Sequence, residues 1–523
     1  MRKMKNLTKI FIAASLVIFT SCDNDFDNPV EDFVATSGDA DFSKYVALGN
    51  SLTAGFTDNA LFISAQNNSY PNMLAQSMAM AGGGSFNAPM MPDEIGGFAD
   101  FGVMGKLTLQ LVDGSLSPVP TPAQSSFSPA VGGPFGNMGV PGAKSYHLLA
   151  PGYGNPAGIA TGTANPYFAR FASSGTATVL GDAAAQQPTF FSLWIGNNDV
   201  LSYATNGGTG TNQMLAGNTD PSTYGGNDIS HPAVVAGSIQ TILETLVNQG
   251  GAKGVIANIP SVTDIPFFTT VPHNPLSPTN PAFGPMIPSL NELFGQLNAV
   301  YDYLGVPERK IVFNVDAASA VVIKDTDLTD LSQQIIQVLM GQGLDQGTAT
   351  VLGMTYGQAR QATAEDLMVF TSQTIIGQLD ADRMASLMAM GMPQEAAAQL
   401  SVNGITFPLD DQWVLTQNEV AQVAEATEAY NAMIEQLAFD YNLAFVDANQ
   451  AMKDLSSDAG ITYFGNTFTT TYVSGGAFSL DAVHLTGKGY AVVANYFIDA
   501  INEKYGSTLR NVNPNNYPGV MIP

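Results

Sequence analysis

An α/β fold with a mainly parallel sheet is predicted by three features of the sequence. Short, continuous apolar segments with the length of buried strands recur along the chain. Segments with a helical spacing of apolar residues lie between them, and Gly250 and Gly251 end one such helix just before the next strand. Of the 523 residues, 45% are hydrophobic and only 12% are charged, so the chain can bury a large core. Helices that alternate with buried strands are typical of parallel α/β sheets.

The predicted strands and helices follow one another in a regular order. Strands are expected at 45–48, 190–195, 254–260, 310–315 and 442–447. Helices are expected at 69–81, 233–247, 290–304, 420–441 and 487–505. Thr416 and Glu419 have the spacing of a capping box, which marks the start of the fourth of these helices. Residues 56–135 are expected to form long loops with some helix, and residues 205–230 a further loop.

Residues 326–403 interrupt this pattern, because charge is sparse there and Ala, Met, Gln and Leu dominate. The composition predicts an inserted set of short helices. Methionine side chains adapt to varied shapes, so one interpretation is a flexible apolar cover over a binding site. The other interpretation, which is favoured, is that these residues form the core of a helical addition.

The N-terminus predicts an exported protein. Four basic residues precede an apolar stretch at 10–19, which is too short for a comfortable transmembrane helix. Cys22, the only cysteine of the chain, follows two small residues, and this arrangement resembles the lipobox of bacterial lipoproteins. The resemblance implies a signal peptide at 1–21, acylation of Cys22, and a lipid anchor in the outer membrane of a Gram-negative bacterium. Residues 22–42 are expected to be an acidic, flexible tether, whose acidic residues either are simply solvated or resemble a surface-export signal.

The charge balance excludes one class of partner. Lysine and arginine number 18 against 44 aspartate and glutamate residues, which gives a formal net charge of −26. Such a field repels nucleic acid phosphates, so a nucleic-acid-binding role is rejected. It also argues against electrostatic docking to anionic lipid. With a single cysteine, the chain has no internal disulfide, and its stability must come from its core.

Ser51 follows the first predicted strand and lies between Gly49 and Gly55, at the edge of a parallel sheet where ligands bind. A serine nucleophile needs a base, and the base needs a group that orients it. Among the four histidines, His484 has a carboxylate, Asp481, three residues before it, within reach of its Nδ1 atom. The alternative interpretations are a turn serine and an incidental histidine at a helix start.

The other histidines have weaker surroundings. His231 and His273 neighbour prolines in loop-like sequence and are interpreted as structural or solvated, although Asp228 lies near the first. His147 is interpreted as a loop histidine rather than a residue that lines a pocket. The Asn- and Asp-rich loop at 205–230 lacks the regular ligand spacing of a calcium site.

Four segments, taken together and in this order, resemble the SGNH hydrolases, also called GDSL esterases. They are 49–53 (GNSLT), 137–145 (NMGVPGAKS), 196–199 (GNND) and 481–484 (DAVH). The resemblance covers about residues 43–508, with insertions, and leaves 509–523 as a tail. It implies a flavodoxin-like three-layer α/β/α sandwich with a central, mainly parallel sheet and a helical insertion.

The same resemblance implies roles for individual residues. Ser51 corresponds to the nucleophile, His484 to the general base and acid, and Asp481 to the group that orients the histidine. The oxyanion hole would consist of the backbone N–H groups of Ser51 and Gly142 and the side-chain amide of Asn198. Asp199 is expected to brace the loop that carries Asn198.

The implied reaction is ester hydrolysis through an acyl-enzyme, which needs no metal and no organic cofactor. The substrate is expected to be an acyl-lipid or another small acyl ester. A carbohydrate O-acetyl ester is an alternative substrate, and a non-catalytic surface-binding lipoprotein is an alternative class of protein. One departure stands beside the nucleophile, because Asn50 occupies the place of the aspartate in the name motif.

Overall fold

The computed structural model describes residues 34–112 and 114–522. Its centre is a sheet of five parallel strands. The strands are β1 (Tyr45–Gly49), β2 (Asn137–Gly139), β3 (Phe190–Trp194), β4 (Lys253–Ala257) and β5 (Ala444–Val446). Four of them confirm predicted strands, whereas β2 was not predicted because its three residues include no apolar run.

The strand order across the sheet is β5-β4-β3-β1-β2. It reads 2-1-3-4-5 from the other edge, which is a doubly wound order. The direction of winding reverses between β1 and β3, and Gly49 at the end of β1 lies opposite both Gly139 and Trp194. Ligand crevices form outside the carboxyl ends of the strands at such a reversal. The fold therefore points to the loops that follow β1, β2 and β3.

Helices pack beside this sheet in two sets. The main helices are α1 (Tyr70–Ala79), α2 (Val179–Ala185), α3 (Pro232–Leu243), α4 (Gln417–Asp440) and α5 (Gly487–Tyr505). Helix α5 contacts α1, β4 and β5, and the rings of Tyr70, Trp194 and Phe497 pack together between α1, β3 and α5. Helix α4 contacts α3, β4 and β5. The predicted mixed α/β fold with a central parallel sheet is confirmed, and the arrangement is compatible with three layers.

Local sequence signals explain where the long helices begin and end. The capping box before α4 is confirmed, because Glu419 accepts hydrogen bonds from both the N–H and the hydroxyl of Thr416, at 2.7 and 2.8 Å. The Thr486 hydroxyl accepts a bond from Gly489 N–H at the start of α5. Gly506, with φ +63°, ends that helix in the left-handed region.

The remaining elements are short. The other helices around the sheet are Ser51–Ala54, Ile63–Asn67, Pro166–Ala169, Asn198–Thr205, Pro266–Thr269 and Ala448–Ser456. Two antiparallel hairpins join Leu107–Val112 to Ser115–Pro120 and Ile461–Tyr463 to Asn466–Phe468. The first hairpin lies within 56–135, so this segment contains strands as well as the predicted loops and helix.

Residues between Val271 and Val414 build a second hydrophobic core. Val369 and Phe370, within the same stretch, belong instead to the core of the sheet. The helices of this stretch are Ile287–Tyr303, Ser332–Gly341, Gln346–Tyr356, Ala381–Ala389 and Gln394–Gln399, and its strands are Val322–Lys324, Ala359–Gln361, Leu367–Met368 and Val414–Leu415. The insertion is therefore larger than the predicted 326–403 and includes short strands.

The predicted strand at 310–315 is wrong. No described residue pairs with this segment as a strand, and side chains of the neighbouring helix hold its backbone instead. Asn291 pairs with the N–H and carbonyl of Phe313, and Asn298 pairs with those of Ile311, at 2.8–2.9 Å. Ile311 and Phe313 are buried in the second core, as alternate residues of a strand would be, whereas Val312 and Val315 are exposed.

The folded domain extends beyond the predicted limits of 43 and 508. Phe42 is buried in the core of the sheet, and the N–H of Asp39 bonds to the carbonyl of Tyr505. At the other end Leu509 is buried, and Asn495 holds the backbone of Val512. The last part of the predicted tether and the first part of the predicted tail are therefore packed. The predicted signal peptide and Cys22 lie outside the described residues, within which no helix has the length and apolarity needed to cross a membrane.

Candidate active site

Ser51 lies at the first turn after β1. The strand ends at Gly49, and the helix Ser51–Ala54 begins after Asn50, whose side-chain oxygen accepts a bond from Leu52 N–H at 3.0 Å. Only glycine fits at 49, because a Cβ there would lie 2.4 Å from the backbone carbonyl oxygen of Trp194. The tight turn therefore places Ser51 at the edge of the sheet, on the reversal between β1 and β3.

The three residues predicted to form the catalytic set are in contact. The hydroxyl oxygen of Ser51 lies 2.9 Å from Nε2 of His484. The other ring nitrogen, Nδ1, lies 2.9 Å from a carboxylate oxygen of Asp481. A chain of two hydrogen bonds thus runs from a serine hydroxyl through an imidazole to a carboxylate.

Asp481 is held as a carboxylate by the loop around it. One of its oxygens accepts bonds from the N–H groups of Val483 and His484, at 2.9 and 2.7 Å. The other also accepts from Asn59 N–H at 2.8 Å. Burial raises the pKa of Asp481, but the charge and hydrogen bonds of His484 outweigh burial and hold the pKa well below its usual range. An ionised Asp481 favours the tautomer with the proton on Nδ1, which leaves the Nε2 lone pair facing Ser51.

Residues 56–59 form one wall of the site and were not recognised from the sequence. The ring of Phe56 lies 4.7 Å from that of His484, centroid to centroid, and its carbonyl accepts a bond from the Tyr490 hydroxyl at 2.6 Å. Asp58 accepts a bond from Leu480 N–H at 3.0 Å. Burial, with a contribution from the charge of Asp481, raises the pKa of Asp58 to about 6. No local signal marks these residues, because they meet the loop of Asp481 across more than 420 positions.

The three predicted oxyanion donors follow three adjacent strands. Ser51, Gly142 and Asn198 come after β1, β2 and β3, whose ends lie side by side. In the described part of the chain, the N–H groups of Ser51 and Gly142 donate to no acceptor. Gly142 is exposed with φ +80°, which favours glycine. The Asn198 amide donates to the carbonyl of Ala143 at 2.9 Å, which orients the amide and leaves its second hydrogen unused.

Two buried side chains tie these loops together. Asp199 accepts bonds from both the N–H and the hydroxyl of Ser145, at 2.7 and 2.9 Å. Burial raises the pKa of the Asp199 carboxyl group. Asn50 donates to the side-chain oxygen of Asn197 at 3.0 Å, so the turn of the serine is joined to the loop after β3. The Nδ2 atom of Asn197 is buried and has no hydrogen-bond partner among the described residues.

The other three histidines do not bond to Ser51 in the described structure. His147 accepts a bond from Lys144 N–H at 3.0 Å and stacks on Tyr153, and burial lowers its pKa to about 4. His231 caps helix α3 by accepting a bond from the N–H of the second helical residue. The backbone carbonyl of His273 accepts a bond from Val321 N–H within the insertion.

Among residues 34–112 and 114–522, no group of three or more His, Cys, Asp or Glu side chains is arranged to hold a metal ion. No protein-family profile matches the chain, and no curated protein is significantly similar to it in sequence. Fold, hydrogen bonds and electrostatics are therefore the basis for any assignment of function.

Proposed function

We propose that the chain is a serine ester hydrolase of the SGNH (GDSL) type that acts through an acyl-enzyme. The observation that carries the proposal is the pair of 2.9 Å contacts from Ser51 to His484 and from His484 to Asp481. The position of this set at the reversal of a doubly wound sheet supports it, because ligands bind there.

In the proposed reaction, His484 Nε2 takes the hydroxyl proton of Ser51 while the serine oxygen attacks the ester carbonyl carbon. Asp481 stabilises the imidazolium that forms and keeps the proton on Nδ1. The imidazolium then passes its proton to the departing alkoxide, and the acyl group stays on Ser51. The same imidazole then takes a proton from water, whose oxygen attacks the acyl carbonyl carbon. The bond from this carbon to the Ser51 oxygen breaks, the imidazolium returns the proton to that oxygen, and the acid leaves.

The negative charge on the carbonyl oxygen needs donors that are already in position. The N–H groups of Ser51 and Gly142 and the second amide hydrogen of Asn198 meet this need, because none is committed to another acceptor in the described structure. Such donors stabilise the transition state more than the substrate when they are aimed at the developing oxyanion.

A hydrolysis assay tests the proposal. The purified protein and Ser51→Ala are given p-nitrophenyl esters from acetyl to palmitoyl, with Ser202→Ala as a control serine on the neighbouring helix 198–205. We expect Ser51→Ala to lose at least about 10⁴-fold in kcat and the control to retain activity. Equal activity in Ser51→Ala and the unmodified protein contradicts the proposal, and activity confined to acetyl esters favours a carbohydrate O-acetyl ester as substrate.

We also infer that Cys22 is acylated and anchors the protein in the outer membrane. The basic start, the short apolar stretch and the single cysteine support this inference. Cys22→Ala is expected to abolish labelling by radioactive palmitate and to release the protein from the membrane fraction. Unchanged labelling of that variant would exclude Cys22 as the site of acylation.

A further inference from the structure

An apolar cavity of about 110 Å³ lies beside the proposed catalytic residues. Its wall contains Leu52, which follows Ser51, and Val483 and Leu485, which flank His484. Ala451 of the helix Ala448–Ser456 and Val493 of α5 also line it. Its described lining includes no charged side chain. Three residues of the wall are thus direct chain neighbours of Ser51 or His484.

Other cavities of the described structure do not offer the same environment. A space beside Tyr167 has a volume of only about 10 Å³ and is lined by Arg170 and Gln66. Two clefts of about 580 and 550 Å³ are larger, but carboxylates such as Glu428 and Glu419 line them. An aliphatic chain would have to desolvate those charges, which is unfavourable.

A cavity of this kind is unusual in a packed core. Interiors of proteins contain few voids larger than a water molecule, and a void lined only by apolar groups does not hold water well. Several residues of its wall, among them Leu52, Val483 and Val493, are partly exposed, so the cavity is open to entry. Concave, mostly apolar spaces next to a few polar groups are the usual form of a ligand site.

We propose that this cavity binds the acyl chain of the substrate, so that the enzyme acts on esters of medium- or long-chain aliphatic acids. The proposal rests on the proposed ester hydrolase function and names its substrate class. With the carbonyl carbon at Ser51, the chain extends past Leu52 and Val483 between the helix 448–456 and α5. An acetyl group is too short to use the cavity, whereas each further buried methylene strengthens binding.

Chain-length profiles test the assignment. The ratio of kcat/KM for p-nitrophenyl octanoate to that for the acetate is measured for the protein and for Ala451→Trp, which fills the cavity. We expect the unmodified protein to prefer octanoate and Ala451→Trp to lower the ratio at least tenfold. Val493→Trp fills the same cavity from α5. It is a second test in case Ala451→Trp fails to fold. Lys453→Trp, an exposed position on the helix of Ala451, is the matched control and is expected to leave the ratio unchanged.

A binding measurement separates this proposal from the proposed hydrolysis. Binding of the fluorescent fatty acid 11-(dansylamino)undecanoic acid is measured on Ser51→Ala with and without Ala451→Trp. We expect the double variant to bind at least tenfold more weakly. If no ester is hydrolysed but the probe binds and Ala451→Trp prevents it, the hydrolase function fails and the acyl site stands. If esters are hydrolysed but filling the cavity alters neither the ratio nor probe binding, the acyl site is overturned and the hydrolase function stands.

Discussion

The sheet region and the insertion at 271–414 are both well packed, but only one of them carries the proposed site. Each has a hydrophobic core of its own, and the described residues proposed for catalysis all follow strands of the sheet or precede α5. The insertion is linked to the loop of Asp481 through a side chain outside the proposed catalytic set, Tyr472. Phe370 packs on Tyr472 at 4.7 Å, and the Tyr472 hydroxyl bonds to the carbonyl of Leu480, next to Asp481. The comparison indicates that the sheet positions the residues proposed for catalysis and that the insertion contacts their loop from outside.

The largest effect on the sheet side is expected from Asp481→Asn. The amide oxygen still accepts the bonds from Val483 and His484 N–H, but the NH₂ group faces Nδ1 and favours the tautomer with its proton on Nε2. Ser51 then faces a donor instead of a base. We expect kcat to fall about 10⁴-fold, equivalent to about 5 kcal/mol, while the protein stays folded.

The measurement is kcat on a p-nitrophenyl ester, with circular dichroism as the check on folding. Asp58→Asn is the matched control, because it removes a carboxylate that contacts the same loop but not the imidazole. It should retain most of the activity. If both variants lose activity equally, Asp481 does not act through the tautomer of His484.

The second prediction concerns the insertion. Phe294 is buried there and packs edge-to-face on Phe313 and Tyr356. Phe294→Ala leaves a cavity and is expected to lower the free energy of unfolding by about 3–5 kcal/mol. Below the unfolding transition, kcat should remain within about twofold, because no residue of the insertion belongs to the proposed catalytic set.

Phe191→Ala provides the comparison within the sheet. It removes a ring from β3, whose end carries the loop of Asn198, and it should lower both stability and kcat. Chemical denaturation and kcat are measured for both variants. A loss of kcat in Phe294→Ala as large as that in Phe191→Ala would mean that the two regions do not act separately.

The sheet was predictable from the sequence wherever a strand is a continuous apolar run, as in β1 and β3. Strand β2 was not predicted, because side-chain hydrogen bonds rather than an apolar run hold it in place. Asn137 is buried, donates to the carbonyl of Thr53 and accepts from Gly139 N–H, so side-chain bonds replace an apolar run. The segment 310–315 was wrongly predicted as a strand. Its alternating apolar residues fit a strand, but asparagine side chains form the hydrogen bonds of its backbone.

The candidate site likewise contains some residues that local sequence patterns predicted and others that they did not. Asp481 and His484 are three positions apart, so local spacing revealed their contact, and the glycines around Ser51 marked its turn. Phe56 and Asp58 were missed because their contacts with the C-terminal loop depend on how the whole sheet folds. The limits of the insertion were missed for the same reason, because which core an apolar helix joins is a tertiary property.

The third prediction tests the proposed oxyanion site on the sheet side. Asn198→Ala removes one donor to the developing oxyanion and should lower kcat by about 10²–10³-fold, or about 3–4 kcal/mol, with little change in KM. It also frees the Ala143 carbonyl, so folding is checked by thermal unfolding. Asn206→Ala, on the exposed end of the same helix, is the control. A rise in KM at constant kcat would instead assign Asn198 to substrate binding.

The smallest effect is expected at Asn50, beside the nucleophile. An aspartate there can still accept the bond from Leu52 N–H, but it can no longer donate to the oxygen of Asn197. The side-chain amide of Asn197 can rotate so that its Nδ2 atom donates to the new carboxylate. This atom is buried and has no hydrogen-bond partner among the described residues, so the rotation breaks no other bond of Nδ2. Asn50→Asp should therefore change kcat by less than about threefold and stability by less than about 1 kcal/mol.

The double variant Asn50→Asp with Asn197→Asp prevents this compensation by the Asn197 amide, because two carboxylates then face each other in a buried site. Asn197→Asp alone keeps an oxygen that accepts from Asn50 and should be mild as well. We expect the double variant to lose more stability than the sum of the single changes, because interacting neighbours are not additive. Thermal unfolding of the four proteins measures the difference. Additive losses would show that Asn197 does not turn, and that the bond from Asn50 is not what joins the serine turn to the loop after β3.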